Sequence, residues 1–261
     1  MKKELFIGEK DYSVFKRIDG NRDVEPERVA KILESIKKCG FIGAIVVNEK
    51  MEVIDGQGRL EACRQLGEPI DYIKEEGLTI EDCISMNISG TPWKLKDYIN
   101  SYAARGYKDY VVLKDFIEKH KYNFNTSCYA IFGTGTHNRD EIIKSGRVSI
   151  SQEQLDFANE ICDFWENFAE IKTNRQTDLY AAIMYCYQMD AVDNNRLVKK
   201  INAFPRSFET IAGVQDAIDV IEDCYNNRIG RSNYVYIETE YFKMLEEKTG
   251  ELNKNKLTAR R

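Results

Sequence analysis

Asp55-Gly56-Gln57-Gly58-Arg59 is the stretch of this chain whose residue types and order could do chemistry. It follows the apolar pair Val53-Ile54 and runs into Leu60-Glu61-Ala62, so it reads as the turn from a strand into a helix. Glycines at 56 and 58 let the backbone approach a ligand closely. A helix N-terminus presents unbonded N–H groups and a partial positive charge. Arg59 adds a guanidinium within the first turn. These features make an anion site, best suited to phosphate. No Gly-Lys-Ser/Thr follows, so the site is not a Walker loop. Within it, Asp55 could hold a metal ion or a ribose hydroxyl, Gln57 could donate to a phosphate oxygen, and Glu61 suits the positive end of the helix. The same residues also read as a plain turn and helix start, with Arg59 paired to Asp55 or Glu61.

The elements that would position this turn are legible around it. Pro26 to Lys38 carries apolar residues at Val29, Ile32, Leu33 and Ile36, a helical period opened by Pro26 and closed by Gly40. Ala44 to Val47 and Glu52 to Ile54 read as short strands, Arg59 to Leu66 as a helix ended by Gly67, and Pro69 to Lys74 as a third strand. Strands alternating with helices predict a small sheet covered on one face. The rest reads as almost wholly helical: Leu95–Ala104, Tyr110–His120, Thr126–Phe132, Glu141–Lys144, Glu153–Phe168, Asp178–Met189, Asn195–Ile201 and Gly213–Tyr225. Tyr234 to Ile237 alternates and is predicted as a strand or hairpin edge. The Lys/Arg/Asn-rich tail from Leu252 is predicted to fray. Ser89-Gly90-Thr91-Pro92 marks a boundary between Asn87 and Pro92. The expected divisions are 1–90, a helix-turn-helix region 91–150, and a helical domain 151–261.

Composition narrows the class. Of 261 residues, 43% are hydrophobic and 31% charged, which fits a soluble globular protein. The net charge of -5 gives no overall pull toward nucleic acid, so any such contact needs a local basic face. Seven scattered cysteines without a Cys-x-x-Cys pair point to reduced thiols in a cytoplasm. His120 and His137 are not spaced with them as ligands, so no metal site is expected. No apolar run approaches a membrane span, and Met1-Lys2-Lys3-Glu4 lacks an export-signal core.

Asn21-Arg22, then a helix, then Ser35-Ile36 and Gly40, then Ile45-Val46-Val47, then Ile54-Asp55-Gly56-Gln57-Gly58-Arg59-Leu60-Glu61-Ala62, then Leu66-Gly67 together resemble the ParB/sulfiredoxin-like domain. The likeness is to plasmid- and phage-type members with Asp-Gly-Gln-His-Arg, and it covers about residues 5 to 90. Trp93-Lys94-Leu95, Asp97-Tyr98, Tyr110, Leu113, Phe116-Ile117 and Ser145-Gly146-Arg147-Val148-Ser149 resemble the helical DNA-binding part that follows in ParB-like proteins. The resemblance implies an α+β chain: a small α/β domain, then a mostly helical part with a helix-turn-helix.

It also implies a ParB-like DNA-binding protein of a plasmid, phage or other mobile element, with a nucleotide, CTP or ATP with Mg²⁺, at Asp55–Arg59. Asn21, Arg22 and Asn87 would complete that pocket. The DNA contacts would come from Thr126 and Ser127 at the start of the second helix, with Tyr129, Arg139, Lys144 and Arg147. The chain departs from the family at telling places. Gln57 stands where sulfiredoxin has its cysteine, which removes that redox chemistry. Gly58 stands where the phage-type motif has histidine. Met86 and Gly90 replace the charged residues of Glu-Asn-x-x-Arg, which weakens the case for hydrolysis. Two other readings stay open: a nucleotide-dependent enzyme (NTPase, kinase or nuclease) on the same fold, and a protein-binding adaptor. A homodimer is compatible with each.

Overall fold

The computed structural model describes residues 3–86, 92–120, 122–133 and 138–258, with side chains to Glu247. The chain is α+β. Five strands, β1 (Lys3–Glu9), β2 (Lys16–Arg17), β3 (Ile45–Val47), β4 (Glu52–Asp55) and β5 (Ile70–Glu75), form one mixed sheet in the order β1-β5-β3-β4-β2. β3 lies parallel to β5 and antiparallel to β4, and β1 is antiparallel to β5. The helices are α1 (Pro26–Cys39), α2 (Gln57–Leu66), α3 (Ile80–Met86), α4 (Leu95–Ala104), α5 (Lys108–His120), α6 (Phe124–Phe132), α7 (Arg139–Lys144), α8 (Gln152–Trp165), α9 (Gln176–Tyr187), α10 (Asn194–Ala203), α11 (Val214–Asn226) and α12 (Ile237–Thr258).

The three expected strands and the helices flanking them are present. β1 and β2 are additions, and α2 starts two residues earlier than its pattern suggests. The expectation that the sheet is covered on one face is corrected, because strand side chains alternate between two faces. Ile45, Val47, Val53, Ile70 and Tyr72 pack with Val29 and Ile36 of α1 and Leu60, Ala62 and Cys63 of α2. On the other side, Ile54 packs with Ile18, Ile80, Cys83 and Trp93, and Val46 lies against that cluster. Each fully buried Ile or Val there is worth about 1.5–3 kcal/mol relative to exposure. Central strands clad on both faces are therefore the firmest part of this half.

Packing groups the chain into two compact units. The first holds residues 1–114 and 140–148, and the second 115–139 and 149–261. This division does not follow the breaks expected at 90 and 150. In the first unit, Tyr110 Oη donates to the carbonyls of Ile143 (2.8 Å) and Ile142 (3.2 Å), and Tyr102 Oη to that of Lys144 (3.1 Å), which binds residues 140–148 to α4 and α5. Gly146 has φ +75°, and a Cβ there would stand 2.9 Å from Tyr102 Cε1.

The second unit is helical. Leu179 through Cys186 of α9 are all buried, so α9 is apolar all round and serves as its centre. α6 packs on α8 and α9, and α11 packs on α9. The strand expected at Tyr234–Ile237 is absent. Asn226 instead clamps that segment through Val235, its Oδ1 accepting from the Val235 N–H (3.0 Å) and its Nδ2 donating to the Val235 carbonyl (2.8 Å), until α12 begins at Ile237. α12 also carries helix past Leu252 as far as Thr258, where fraying was expected. No helix among the described residues is long and apolar enough to cross a membrane.

Candidate functional site

The site begins with Gly56. It caps α2 with φ +97°, a conformation costly for any residue with a Cβ. A Cβ there would also fall 2.5 Å from Ile45 Cγ2, so the turn fits against β3 only with glycine. Because the cap is glycine, no side chain closes the end of α2. The opening N–H groups of the helix therefore lack the partner that Ser or Asp would supply. Gly58 has a different cause: a Cβ there would stand 3.1 Å from Ile32 Cδ1 of α1. The missing histidine of the phage-type pattern is thus matched by close packing of the two helices.

Arg59 reaches back across this turn. Its Nη1 donates to the Ala44 carbonyl at 2.9 Å, and its Nη2 pairs with Asp55 Oδ2 at 2.5 Å. The pairing with Asp55 foreseen as the plain alternative is present, and the Arg59 side chain is about a third exposed. A guanidinium carries five N–H donors, so this clasp leaves others to face outward.

Asp55, Gly56, Gln57, Gly58 and Arg59 line one cleft together with Asn21 and Arg22, which come from the loop before α1. Seven of the nine expected nucleotide contacts are thereby brought together. Glu61 is not among them: it lies a turn further on, paired with Arg64 at 3.0 Å and accepting from Gln65 at 2.9 Å. Asn87 lies outside the described residues. Asn21 is buried, and its Oδ1 accepts from the Arg22 N–H at 2.9 Å, which fixes the loop at the rim.

The cleft also contains residues that the sequence reading passed over: Val24, Arg28, Ile32 and Cys83, with the carboxylates Asp23 and Glu25. Arg28 has no carboxylate partner among the described residues, whereas Asp23 pairs with Arg17 (2.8 Å) and Glu25 with Lys94 (3.6 Å). The signal for Arg28 was its place one helical turn before Ile32 on α1. Burial pushes the Cys83 thiol up to about 11, with the Asp55 carboxylate acting in the same direction and Arg22 opposing it. It is therefore a thiol and not a thiolate nucleophile near neutral pH.

The cavity is about 70 Å³, small beside the ~300–1,000 Å³ of sites that enclose a drug-sized ligand. A neighbouring groove of about 320 Å³ shares Arg28, Ile32 and Arg59 with it and is otherwise lined by Ser35, Ile36, Phe41 and Ile42, among others. Asp23, Glu25 and Asp55 are the carboxylates that could reach a Mg²⁺ carried in with nucleotide phosphates. The cleft carboxylates are each held by a cation, and no group of three His, Cys, Asp or Glu among the described residues could hold a metal ion.

The residues expected at DNA are not gathered in one unit. Thr126, Ser127, Tyr129 and Arg139 belong to the second unit, and Lys144 and Arg147 to the first. The expectation that Thr126 and Ser127 stand at the open start of a recognition helix is corrected. α6 starts at Phe124 and is capped by Asn123, whose Oδ1 accepts from the Thr126 N–H at 2.9 Å. Thr126 and Ser127 are buried among α8 and α9, with Thr126 Oγ1 3.2 Å from Thr177 Oγ1. Arg139 stacks over the Tyr129 ring at 5.9 Å. Lys144 and Arg147 are exposed, and Arg147 pairs with Glu141 at 3.4 Å.

No protein-family model matches the chain. Among curated proteins it is similar to the ParB-like nuclease domain-containing protein YnaK of Escherichia coli (strain K12), 39% identical over 56 residues, which is 21% of this chain. The chain spans 64% of the length of that relative. Among solved structures it is similar to a Pnob8-like ParB-N domain, with a TM-score of 0.31 and 12% identity over 95% of this chain and 96% of that one. The curated relative bears a ParB-like name, the same likeness that the order of motifs around Asp55–Arg59 carries.

Proposed function

We propose that this chain is a ParB-like protein that binds the phosphates of a nucleotide in the cleft between the Asn21–Arg28 segment and the Asp55–Arg59 turn. The observation that carries this reading is the meeting of Arg28, Arg59 and the uncapped start of α2 in one cleft. Three sources of positive potential converge there on a space of phosphate size. The nucleoside lies outside the cavity, along the groove that shares Arg28 and Arg59 and offers Phe41 and Ile42 as apolar surface. CTP and ATP are the nucleotides to which the family resemblance directs the test. Work on the DNA of a plasmid, phage or other mobile element follows from the same resemblance and belongs to the same proposal.

The chain binds without rapid hydrolysis in this reading. The cleft carboxylates are tied up in ion pairs, and Met86 stands where the family motif has a carboxylate.

Thermal-shift and calorimetric titration with CTP, ATP and GTP, each with and without Mg²⁺, test the reading. A bound nucleotide raises the melting temperature by mass action. Arg28→Ala removes a charge-assisted contact and should weaken binding about tenfold or more without altering the fold. Arg59→Ala should weaken binding too, with a cost in stability from the lost clasp. If no nucleotide shifts the melting temperature, or if wild type and Arg28→Ala bind equally well, the cleft is not a phosphate site.

A further inference from the structure

β1 forms one edge of the sheet: it pairs with β5, and among the described residues no strand lies beyond it. An edge strand offers a row of unpaired N–H and C=O groups, and proteins usually blunt such edges by shortness, proline or charge. β1 has seven residues, and its middle is Leu5-Phe6-Ile7, exposed to 62%, 37% and 79%. Three consecutive exposed apolar residues on an open edge call for a cover. The charges stand only at the ends, Lys3-Glu4 at one and Glu9-Lys10 at the other.

We propose that the outer edge of β1 pairs antiparallel with β1 of a second copy of this chain, about a two-fold axis at Phe6. The strand is complementary to itself in that register. Leu5 stands opposite Ile7 of the second copy and Phe6 opposite its own copy, while Lys3 stays held by Glu75 of β5 at 3.0 Å. The neighbouring registers are worse. A slip of one residue in one direction sets Glu4 opposite Ile7, and in the other it sets Glu4 opposite Glu9. The contact is isologous, so it closes at two copies.

The sheet is already prepared for the joint. Phe6 stacks on Tyr72 of β5 with ring centroids 4.7 Å apart and planes 7° from parallel, so four rings line up across the axis. Leu5 is paired with Ile73 of β5, which extends the aliphatic contact. The pairing with β5 shifts between Phe6 and Glu9, where Gly8 has φ +76°. That irregularity limits the joint to a short ladder and makes the dimer concentration-dependent.

Sedimentation velocity on the full chain over a concentration series tests the inference, with cross-linking as a second reading. Wild type should pass from monomer to dimer. Ile7→Lys, at an exposed position, should keep the far-UV circular dichroism and raise the dissociation constant by about tenfold or more. In a Cys39→Ser background, which removes the cysteine exposed among the described residues, Phe6→Cys should form a disulfide-linked dimer on mild oxidation, and Glu4→Cys should not. A wild type that stays monomeric, a dimer that Ile7→Lys leaves intact, or cross-linking through Glu4→Cys in preference to Phe6→Cys would each overturn the assignment.

Discussion

Gly56 decides the shape of the cleft. Its positive φ and the 2.5 Å approach that a Cβ would make to Ile45 act together. Gly56→Ala is therefore expected to cost on the order of 3 kcal/mol, part from the left-handed backbone and part from overpacking. Urea unfolding should show a lower midpoint at unchanged slope. That glycine was needed here was legible in the sequence, since Asp-Gly before a helix signals a turn. Its neighbour Ile45 was not, because eleven residues and a chain reversal separate the two. Arg59 had two readings on paper: its ion pair with Asp55 is present, and its side chain also lines the cleft. Arg28 was legible only in part. Its helical spacing to Ile32 gives its face of α1, but its place in the cleft depends on where α1 lies.

At the scale of elements, the strands around the turn were readable because Ile45-Val46-Val47 and Glu52-Val53-Ile54 are β-rich and punctuated by turns. β1 was hidden, since Lys-Glu-Leu-Phe-Ile-Gly-Glu neither alternates nor runs apolar throughout. Pairing with β5, some seventy residues away, is what makes it a strand. α6 was found but misframed. Asn123, Asn125, Thr126 and Ser127 offer several capping positions, and local sequence does not choose among them. Burial of Thr126 and Ser127 against α8 and α9 chooses Asn123. Asn123 Oδ1 accepts from the Thr126 N–H and from Thr177 Oγ1 (3.3 Å), so this cap joins α6 to the start of α9. Asn123→Ala should destabilise the second unit by about 1 kcal/mol or somewhat more, read as a lower thermal midpoint for that unit.

At the scale of the whole molecule, the chain's two tryptophans divide between the units. Trp93 is buried in the first, in the same cluster as Cys83 of the cleft, and Trp165 is buried in the second. Trp165→Phe leaves a reporter for the first unit, and Trp93→Phe leaves one for the second. A nucleotide held in the cleft should raise the melting midpoint followed by Trp93; at a hundredfold excess over Kd the added stability is about 2.7 kcal/mol. No shift at the Trp93 reporter would mean that the cleft holds no nucleotide. The clasp of Arg59 has one more consequence. Ala44 stands at the entry of β3 and Asp55 at the exit of β4, so a single cation rivets two central strands together. In the reading proposed above, an anion that drew this cation from Asp55 would slacken the rivet, and the interior of the sheet would be the place where occupancy is felt.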